Sequence, residues 1–332
     1  MSAPARPGED DLIARWFRPL ATDPGAHGLV DDCATLAPPP GCDLVLKTDA
    51  VAAGIHFFPD DPWDLVARKA LRVNLSDLAA KGARPLGHLL SLALPADWRE
   101  ADLAAFAAGL ADDQARYGLS LFGGDTIRSP AGLVVSITVF GAVPAGRMVR
   151  RAAARPGDLL YVSGTLGDAA LGLALRRDSA AASWPLADDE RDHLAGRYLL
   201  PEPRLALAAA VLAHARAAMD VSDGLDVDLV RMMRPAGLDA VLDRESLPLS
   251  AAARTVLAAD PARLDAILGG GDDYEILAAV APENAAAFEA AARTAAVHVT
   301  RIGRCEVGEG RVFLSGPDGN PRLRAGGGFR HF

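Results

Sequence analysis

The sequence predicts a two-domain α/β fold of the α+β type. Its 332 residues are enough for two domains of ordinary size. Short apolar runs alternate with longer segments of helical periodicity, which is the pattern of strands packed against helices. Residues 144–157 contain Gly, Pro and Arg without periodicity and predict a connector. We therefore expect an N-terminal domain over residues 1–145 and a C-terminal domain over residues 146–332.

Each predicted element follows from the spacing of apolar residues. In the first half this spacing predicts helices at 10–17, 63–81 and 101–117 and strands at 44–47, 88–92, 119–122 and 133–140. In the second half it predicts helices at 167–176, 204–214, 225–233 and 283–294 and strands at 159–162, 240–242, 274–280, 297–302 and 312–314. The stretch 178–189, rich in Ala, Ser and Asp, is expected to be an exposed loop.

Composition and charge exclude several classes of protein. The formal net charge is −9, so the long-range field would repel nucleic acid and anionic lipid, and an anionic substrate would need accompanying cations. Three cysteines without a CxxC pair argue against a disulfide framework and a structural zinc site. Residues 1–11 lack the apolar core of a signal peptide, and no run has the length of a membrane span. We expect a cytoplasmic protein with no nucleic-acid or membrane partner.

Aspartates recur after apolar, strand-like runs. Asp49, Asp125, Asp220 and Asp272 each follow such a run, with a hydroxyl residue or a glycine nearby, and Asp32 stands in a turn-like stretch. Because ligands of α/β folds collect at strand ends, these acids could converge on one crevice. Mg²⁺ prefers oxygen ligands and is held by one or two carboxylates together with substrate phosphates. The alternative is that each aspartate is simply a turn former or a helix N-cap.

The helix predicted at 63–81 carries a stripe of small and polar residues. Residues spaced three and four apart share one face of a helix, and here that face holds Ala67, Ala70, Asn74, Asp77 and Lys81. The stripe either packs closely on a strand and presents a carboxylate, or faces solvent.

A glycine-rich turn at 163–168 lies between a predicted strand and a predicted helix. Its backbone amides are suited to bind phosphate, and the alternative is a plain turn. No GxxxxGK[ST], HRD, DFG, GxSxG or HExxH motif is present, which excludes the P-loop, protein-kinase, serine-hydrolase and zincin classes. His56 follows Asp49 by seven residues and has either a site role or a structural one.

Taken in order, the motifs resemble those of the thiamine-monophosphate kinase family, in the superfamily of aminoimidazole ribonucleotide synthetase and selenophosphate synthetase. The resemblance runs nearly end to end. It rests on residues 31–34 (DDCA), 47–49 (KTD), 54–57 (GIHF), 69–80 (KALRVNLSDLAA), 123–126 (GGDT), 162–168 (VSGTLGD), 220–225 (DVSDGL) and 270–275 (GGDDYE).

The resemblance implies phosphorylation of thiamine monophosphate to thiamine diphosphate by ATP, with several Mg²⁺ ions. The catalytic and metal positions that it implies are Asp32, Lys47, Thr48, Asp49, Asp77, Asp125, Asp220 and Asp223. The implied ATP contacts are Tyr117, Gly124, Asp125, Arg151 and Ser222. The implied contacts of the thiamine substrate are His56, Asp272 and Phe329.

The same resemblance implies a fold like that of aminoimidazole ribonucleotide synthetase. The N-terminal domain would carry metal and ATP motifs and pair through its sheet into a homodimer, and the C-terminal domain would carry the Gly-rich loops and substrate contacts. The sequence departs from the family pattern at Val30, Lys47 and Asp272, where Gly, Ser or Thr, and Glu are usual. Two alternatives stay open, namely another ATP-dependent kinase or synthetase of the superfamily and a catalytically silent nucleotide-binding relative.

Overall fold

The computed structural model describes residues 8–316 and 318–324. They form two compact units. The first comprises residues 8–75 and Arg84–Ala145, and the second comprises Ser76–Ala83 and the described residues from Gly146 onward. Helices and sheets are mixed in both units, which confirms the predicted fold class.

A four-stranded sheet forms the centre of the first unit. Its strands are β1 (Cys42–Ala52), β2 (Arg84–Leu94), β3 (Ser120–Arg128) and β4 (Val134–Pro144). They lie in the order β1-β4-β2-β3. The pairs β1–β4 and β2–β4 are antiparallel, whereas β2–β3 is parallel. The first unit also contains α1 (Glu9–Leu12), the larger part of α2 (Trp63–Ala80) and α3 (Glu100–Tyr117).

The two faces of this sheet differ in exposure. On one face, side chains such as Leu92 of β2 and Ile137 of β4 are buried. Successive side chains of a strand point to opposite faces. The other face, here called the open face, carries Leu46, Leu89 and Ile127, which are 67%, 42% and 56% exposed.

A seven-stranded sheet forms the centre of the second unit. Its strands are β5 (Leu159–Ser163), β6 (Ala215–Val221), β7 (Leu238–Leu242), β8 (Glu275–Val280), β9 (Val299–Val307), β10 (Val312–Ser315) and β11 (Pro321–Leu323). They lie in the order β11-β10-β7-β9-β5-β8-β6, and all neighbouring pairs are antiparallel except β7–β10. The helices of this unit are α4 (Asp168–Arg177), α5 (Asp188–Leu199), α6 (Ala208–His214), α7 (Leu225–Met233), α8 (Ala251–Ala259), α9 (Leu264–Gly269) and α10 (Ala285–Thr294).

The central strands of the second sheet are buried on both faces. Leu160 of β5 and Leu277 of β8 belong to one apolar cluster, which also contains residues of α7, α8 and α9. Tyr161 follows Leu160, and Ile276 precedes Leu277. Both belong to a second apolar cluster, which contains residues of α6 and α10. Because these strands lie between two apolar cores, nearly all of their residues are apolar. Such continuous apolar runs can be recognised in the sequence, so the positions of these strands are predictable.

The stretch 178–189 is largely exposed, as predicted, but it is not a plain loop, because Ser179–Ser183 form a 3₁₀ helix and three side chains of the stretch are buried. Ala181 is fully buried and Trp184 is only 6% exposed. The guanidinium of Arg263 lies 5.2 Å from the centre of the Trp184 ring, and α5 already begins at Asp188. The polar composition of the stretch gave no sign that Ala181 and Trp184 are buried. Helices α5, α8 and α9 were likewise not predicted, since they are short and rich in Ala or charge.

None of the described helices is both long and apolar enough to cross a bilayer.

Candidate active site

Strand β1 places Lys47, Thr48 and Asp49 side by side. Lys47 Nζ lies 3.1 Å from Asp49 Oδ1. An ammonium has no lone pair to offer a metal, so Lys47 acts here as a counter-charge to Asp49. Thr48 points to the opposite face, where its Oγ1 donates to the Ile137 carbonyl at 3.2 Å and accepts from Thr138 Oγ1 at 3.0 Å.

The polar stripe of α2 is buried where it meets β1. Asn74 is fully buried, and its Oδ1 accepts the backbone N–H of Asp49 at 2.8 Å. Its Nδ2 donates to the Ala70 carbonyl at 2.9 Å. The solvent-facing alternative is therefore wrong for this part of the stripe, because Asn74 fixes the backbone of a predicted metal ligand.

Asp49 and Asp125 lie inside their strands. The prediction that they follow strand ends is wrong, because β1 and β3 both continue past them in the hydrogen-bonded ladder. Strands β1 and β3 are the outer strands of the sheet and are about 14 Å apart, at about 4.8 Å per strand. A Mg²⁺ ion has ligand distances of about 2.1 Å, so one ion cannot be shared by these two aspartates of a single chain.

His56 lies in a short turn after β1. Its Nδ1 accepts the backbone N–H of Ala52 at 3.1 Å, so the neutral ring carries its proton on Nε2. Lys69 of α2, only 2% exposed, donates from Nζ to the His56 carbonyl at 2.9 Å. The turn is thus held through both the ring and the backbone of His56.

Tyr117 is the last residue of α3, and its ring lies among arginines. The guanidinium carbons of Arg72 and Arg116 are 5.6 Å and 5.2 Å from the ring centre. Arg72 is itself buried and bound to the buried carboxylate of Asp113 at 2.6 Å. The ring thus makes cation–π contacts with one buried, ion-paired arginine and one exposed arginine.

In the second unit, the motif 220–225 forms the end of β6 and the turn into α7. Asp220 is 4% exposed and lies within β6. The N–H groups of Ser222 and Asp223 both donate to Asp228 Oδ2, at 2.9 Å and 3.0 Å. Burial raises the pKa of the Asp228 carboxyl to about 6.

The motif 270–275 is hydrogen-bonded directly to this turn. The N–H of Asp272 donates to the Ser222 carbonyl at 2.9 Å, and the N–H of Tyr274 donates to the Val221 carbonyl at 2.8 Å. Asp272 and Tyr274 have φ of 69° and 50°, a left-handed backbone that non-glycine residues rarely adopt. Such strain collects at functional sites. The two hydrogen bonds bring together the two predicted motifs of this unit.

Three amides of the glycine-rich turn 163–168 are already hydrogen-bonded within the protein. Gly164 and Leu166 donate their N–H groups to the carbonyls of His298 and Pro248, both at 3.0 Å. The N–H of Gly167 donates to the carboxylate of Asp273 at 2.8 Å. The phosphate-binding alternative is wrong for these three amides. Asp273 is buried, and the loss of hydration raises the pKa of its carboxyl well above the usual range.

A buried glutamate was missed by the sequence analysis. Glu275, fully buried at the start of β8, accepts from Arg197 at 2.9 Å, Arg204 at 2.6 Å and Ser163 at 2.6 Å. Its only sequence signal was its place at the end of the motif 270–275. The arginine partners are far away in the chain, so no spacing rule could have identified them.

Other predicted positions lie as follows. Asp77 is half-buried on α2, and the hydroxyl of the preceding Ser76 lies 3.4 Å from the Tyr274 carbonyl. Lys81 donates from Nζ to the Ala218 carbonyl at 2.8 Å. Asp32 and Arg151 are exposed. Phe329 lies outside the described residues.

The donor set suits a hard cation. Among residues 8–316 and 318–324, no three His, Cys, Asp or Glu side chains form a group that could hold a metal ion. Asp49, Asp125 and Asp223 present carboxylate oxygens at partly or fully exposed positions. Mg²⁺ is commonly bound through one or two carboxylates while water and substrate phosphates supply the other ligands. The residues fit Mg²⁺ in chemical type, and the convergence of the aspartates from both units stays a prediction.

Comparison with known proteins defines the class and then the family. Residues 30–143 match the family described as AIR synthase related protein, N-terminal domain, and residues 155–315 match its C-terminal domain. The fold and the motifs thus define an AIR synthase-related protein.

The chain is 45% identical over 324 residues to the thiamine-monophosphate kinase of Caulobacter vibrioides, covering 96% of this chain and 90% of that protein. It is 40% identical to the enzyme of Escherichia coli K12, covering 98% of each. The chain belongs to the thiamine-monophosphate kinase family.

Solved structures show the same relationship. Thiamine-monophosphate kinase from Stenotrophomonas maltophilia superposes with a TM-score of 0.81 at 39% identity, covering 94% of this chain and 96% of that one. A structure described as AaThiL complexed with AMPPCP and TMP superposes with a TM-score of 0.77 at 30% identity, covering 93% and 97%. The hydrogenase maturation protein HypE shares the fold alone, with a TM-score of 0.78 at 19% identity.

Proposed function

We propose that this chain transfers the γ-phosphoryl group of ATP to thiamine monophosphate, giving thiamine diphosphate and ADP. The observation that carries the proposal is the near full-length identity to thiamine-monophosphate kinases, 45% over 96% of the chain. The bonding of the motifs 220–225 and 270–275 into one structure supports it. So does the solved relative that binds AMPPCP and TMP.

The proposed roles follow the motifs. Asp32, Thr48, Asp49, Asp77, Asp125, Asp220 and Asp223 would hold Mg²⁺, with Lys47 as a fixed counter-charge. Tyr117, Gly124, Arg151 and Ser222 would contact ATP. His56, Asp272 and Phe329 would contact thiamine monophosphate.

The residue types agree with direct in-line transfer. A phosphate monoester carries an ionised oxygen near neutral pH, so the acceptor can attack the γ-phosphorus without a strong general base. Two polyanions must meet within an acidic protein, where their repulsion would otherwise dominate. Bound Mg²⁺ supplies the neutralising charge and a template for both phosphates. The chain's own groups then position the reactants, with Arg151 available to phosphate and the Nε2–H of His56 a donor suited to an anionic acceptor.

A direct assay tests the proposal. The purified protein incubated with Mg²⁺, ATP and thiamine monophosphate should produce thiamine diphosphate and ADP. Asp77→Asn should lower kcat by about a hundredfold or more, because it removes a carboxylate that binds the metal. Asp112→Asn, at an exposed position of α3, is the matched control and should stay within about twofold. Near-normal turnover of folded Asp77→Asn protein would contradict the metal assignment.

A second candidate function is nucleotide binding without transfer. The observation in its favour is the ion pair of Lys47 with Asp49, which places a positive charge at a predicted metal ligand. Calorimetry that shows Mg²⁺-ATP binding, combined with no turnover of thiamine monophosphate, would select this second candidate over the kinase.

We also propose that the chain forms a homodimer through its first unit. Leu46, Leu89 and Ile127 are exposed apolar side chains of the open face. A second copy of the same face would remove them from water, which is favourable in proportion to the area covered.

A further inference from the structure

The turn between β6 and α7 is fixed by a carboxylate that lies outside the predicted motif positions. Asp228 is fully buried, and its Oδ2 accepts the N–H groups of both Ser222 and Asp223. Backbone N–H bonds to a carboxylate are roughly twice as strong as bonds between neutral groups. One oxygen atom of Asp228 therefore holds the backbone of a proposed ATP contact and of a proposed metal ligand.

Arg231 connects the same carboxylate to the side chain of Asp223. Its Nη1 donates to Asp228 Oδ1 at 2.9 Å and also contacts Asp223 Oδ2. Arg231 is 42% exposed, whereas Asp228 is inaccessible. Asp228 thus fixes the backbone of Asp223 directly and fixes its carboxylate through Arg231.

The opposite side of the turn is closed by the motif 270–275. The Ser222 carbonyl accepts the N–H of Asp272, and a side chain at Gly271 would lie 2.4 Å from that carbonyl. Gly224, with φ of 112°, completes the turn in a conformation that only glycine adopts readily. Within this second unit the turn is held between Asp228 on one side and Asp272 on the other.

From this geometry we infer that Asp228 is a positioning residue for the Mg²⁺-ATP complex, although it contacts neither ligand. The inference rests on the proposed function, because it takes Ser222 and Asp223 as the groups that bind the nucleotide and its metal. It assigns to Asp228 the preorganisation of these two residues before ATP arrives. Loss of Asp228 should then weaken nucleotide binding more than it weakens binding of the acceptor.

The second unit offers a matched control at Asp239. This residue is 5% exposed, and its Oδ1 accepts the N–H groups of Glu309 and Arg311, both at 2.8 Å. It also pairs with the Arg311 guanidinium at 2.8 Å. Asp239 therefore makes the same kinds of bonds as Asp228, but outside the predicted motifs. A structural role alone would make the two Asp→Asn variants behave alike.

The experiment compares the full-length wild type with Asp228→Asn, Arg231→Gln and Asp239→Asn. Calorimetry measures the Kd of AMPPCP with Mg²⁺, thermal unfolding measures stability, and steady-state kinetics give KM for ATP and for thiamine monophosphate. Asp228→Asn should raise the Kd of AMPPCP and the KM for ATP by about tenfold or more. The KM for thiamine monophosphate should change by less than about threefold. Asp239→Asn should lower the Tm and leave the Kd unchanged.

The outcomes are distinguishable. A Kd for folded Asp228→Asn within about twofold of wild type, with normal wild-type turnover, would overturn this inference alone. Wild-type protein that neither binds AMPPCP nor turns over would overturn both this inference and the proposed function. If Asp228→Asn does not fold, Arg231→Gln provides the test. The Arg231 side chain is partly exposed, and its removal releases the Asp223 carboxylate from the contact with Arg231. A raised Kd in that variant supports the inference, and an unchanged Kd contradicts it.

Discussion

His88 is a buried histidine that stays uncharged in the folded protein. It is fully buried on β2, and its Nε2 lies 3.2 Å from Gln114 Nε2, an arrangement in which the amide donates to the ring. Burial lowers the pKa of His88 to about 4. In the unfolded chain the imidazole titrates near 6.5. Its contribution to stability is therefore complete above pH 6.5 and is lost as the pH falls toward 4.

We predict a smaller acid sensitivity for His88→Gln. From the two pKa values, this one group should reduce the free energy of unfolding of wild type by about 2 kcal/mol between pH 7 and pH 5. Urea unfolding of both proteins at the two pH values measures the difference. Buried carboxyls with raised pKa values act in the opposite direction, but they are common to both proteins and cancel. Identical pH dependence in the two proteins would contradict the prediction.

Individual site residues were predictable to the extent that their partners are local. The alternation of a strand puts Lys47 and Asp49 on one face, and helical spacing puts Asp228 and Arg231 together. The contacts of Glu275 could not be predicted in this way. Its arginines come from α5 and from the segment before α6, so only the folded chain brings them to β8.

At the scale of elements, one glycine permits the close approach of two motifs. A Cβ at Gly271 would lie 2.4 Å from the Ser222 carbonyl oxygen, which is nearer than real Cβ contacts come. The turn 222–224 or the segment 270–273 would have to move. Ser222 and Asp272 would then lose their hydrogen bond.

We predict that Gly271→Ala loses most kinase activity and about 1–3 kcal/mol of stability. The physical reason is the forced separation of the two motifs. Gly196→Ala is the control, because Gly196 is exposed within α5 and a Cβ there meets nothing within 4 Å. That control should be fully active and more stable by about 0.5–1 kcal/mol. Thermal unfolding measures the stability, and an assay of ADP formation measures the kinase activity. A Gly271→Ala protein with normal activity would contradict the role given to this contact.

Elements with clear periodicity were predicted well, and the placement of the acids on them was not. Helix α7 was predicted at its observed bounds, and α2 and α3 within a residue, because their apolar spacing is regular. The argument from strand ends assumed parallel strands, whereas both sheets are mainly antiparallel. Strand β1 continues through Asp49 because alternate residues of an antiparallel strand can stay solvated while the ladder extends.

At the scale of the whole molecule, the open face determines the proposed oligomeric state. We predict that Leu89→Asp converts a homodimer into a monomer, because a second copy packed on the open face would bury the new carboxylate without a partner. Light scattering coupled to size-exclusion chromatography measures the mass. Val307→Asp is the control, since Val307 is 79% exposed on β9 in the second unit. A wild-type protein that is already monomeric would contradict the proposal.

The organisation of the whole chain was predictable only in part. The second unit takes Ser76–Ala83 from the middle of the first half of the sequence. Composition does not indicate this division, because helix α2 continues from the first unit into the second without a change in periodicity. Ala79 and Ala80 are buried in the second unit's core, and this contact became visible only in the folded chain.

The scarcity of lysine has a practical consequence for anyone who labels this protein. The sequence contains Lys47, Lys69 and Lys81 as its only lysines. Lys69 is buried, the ammonium of Lys81 donates to a backbone carbonyl, and the side chain of Lys47 is one-third exposed. Besides any free α-amino group, amine-reactive dyes and immobilisation resins would therefore modify Lys47 on the strand that carries Asp49. The exposed thiol of Cys33 offers attachment that spares these ammonium groups.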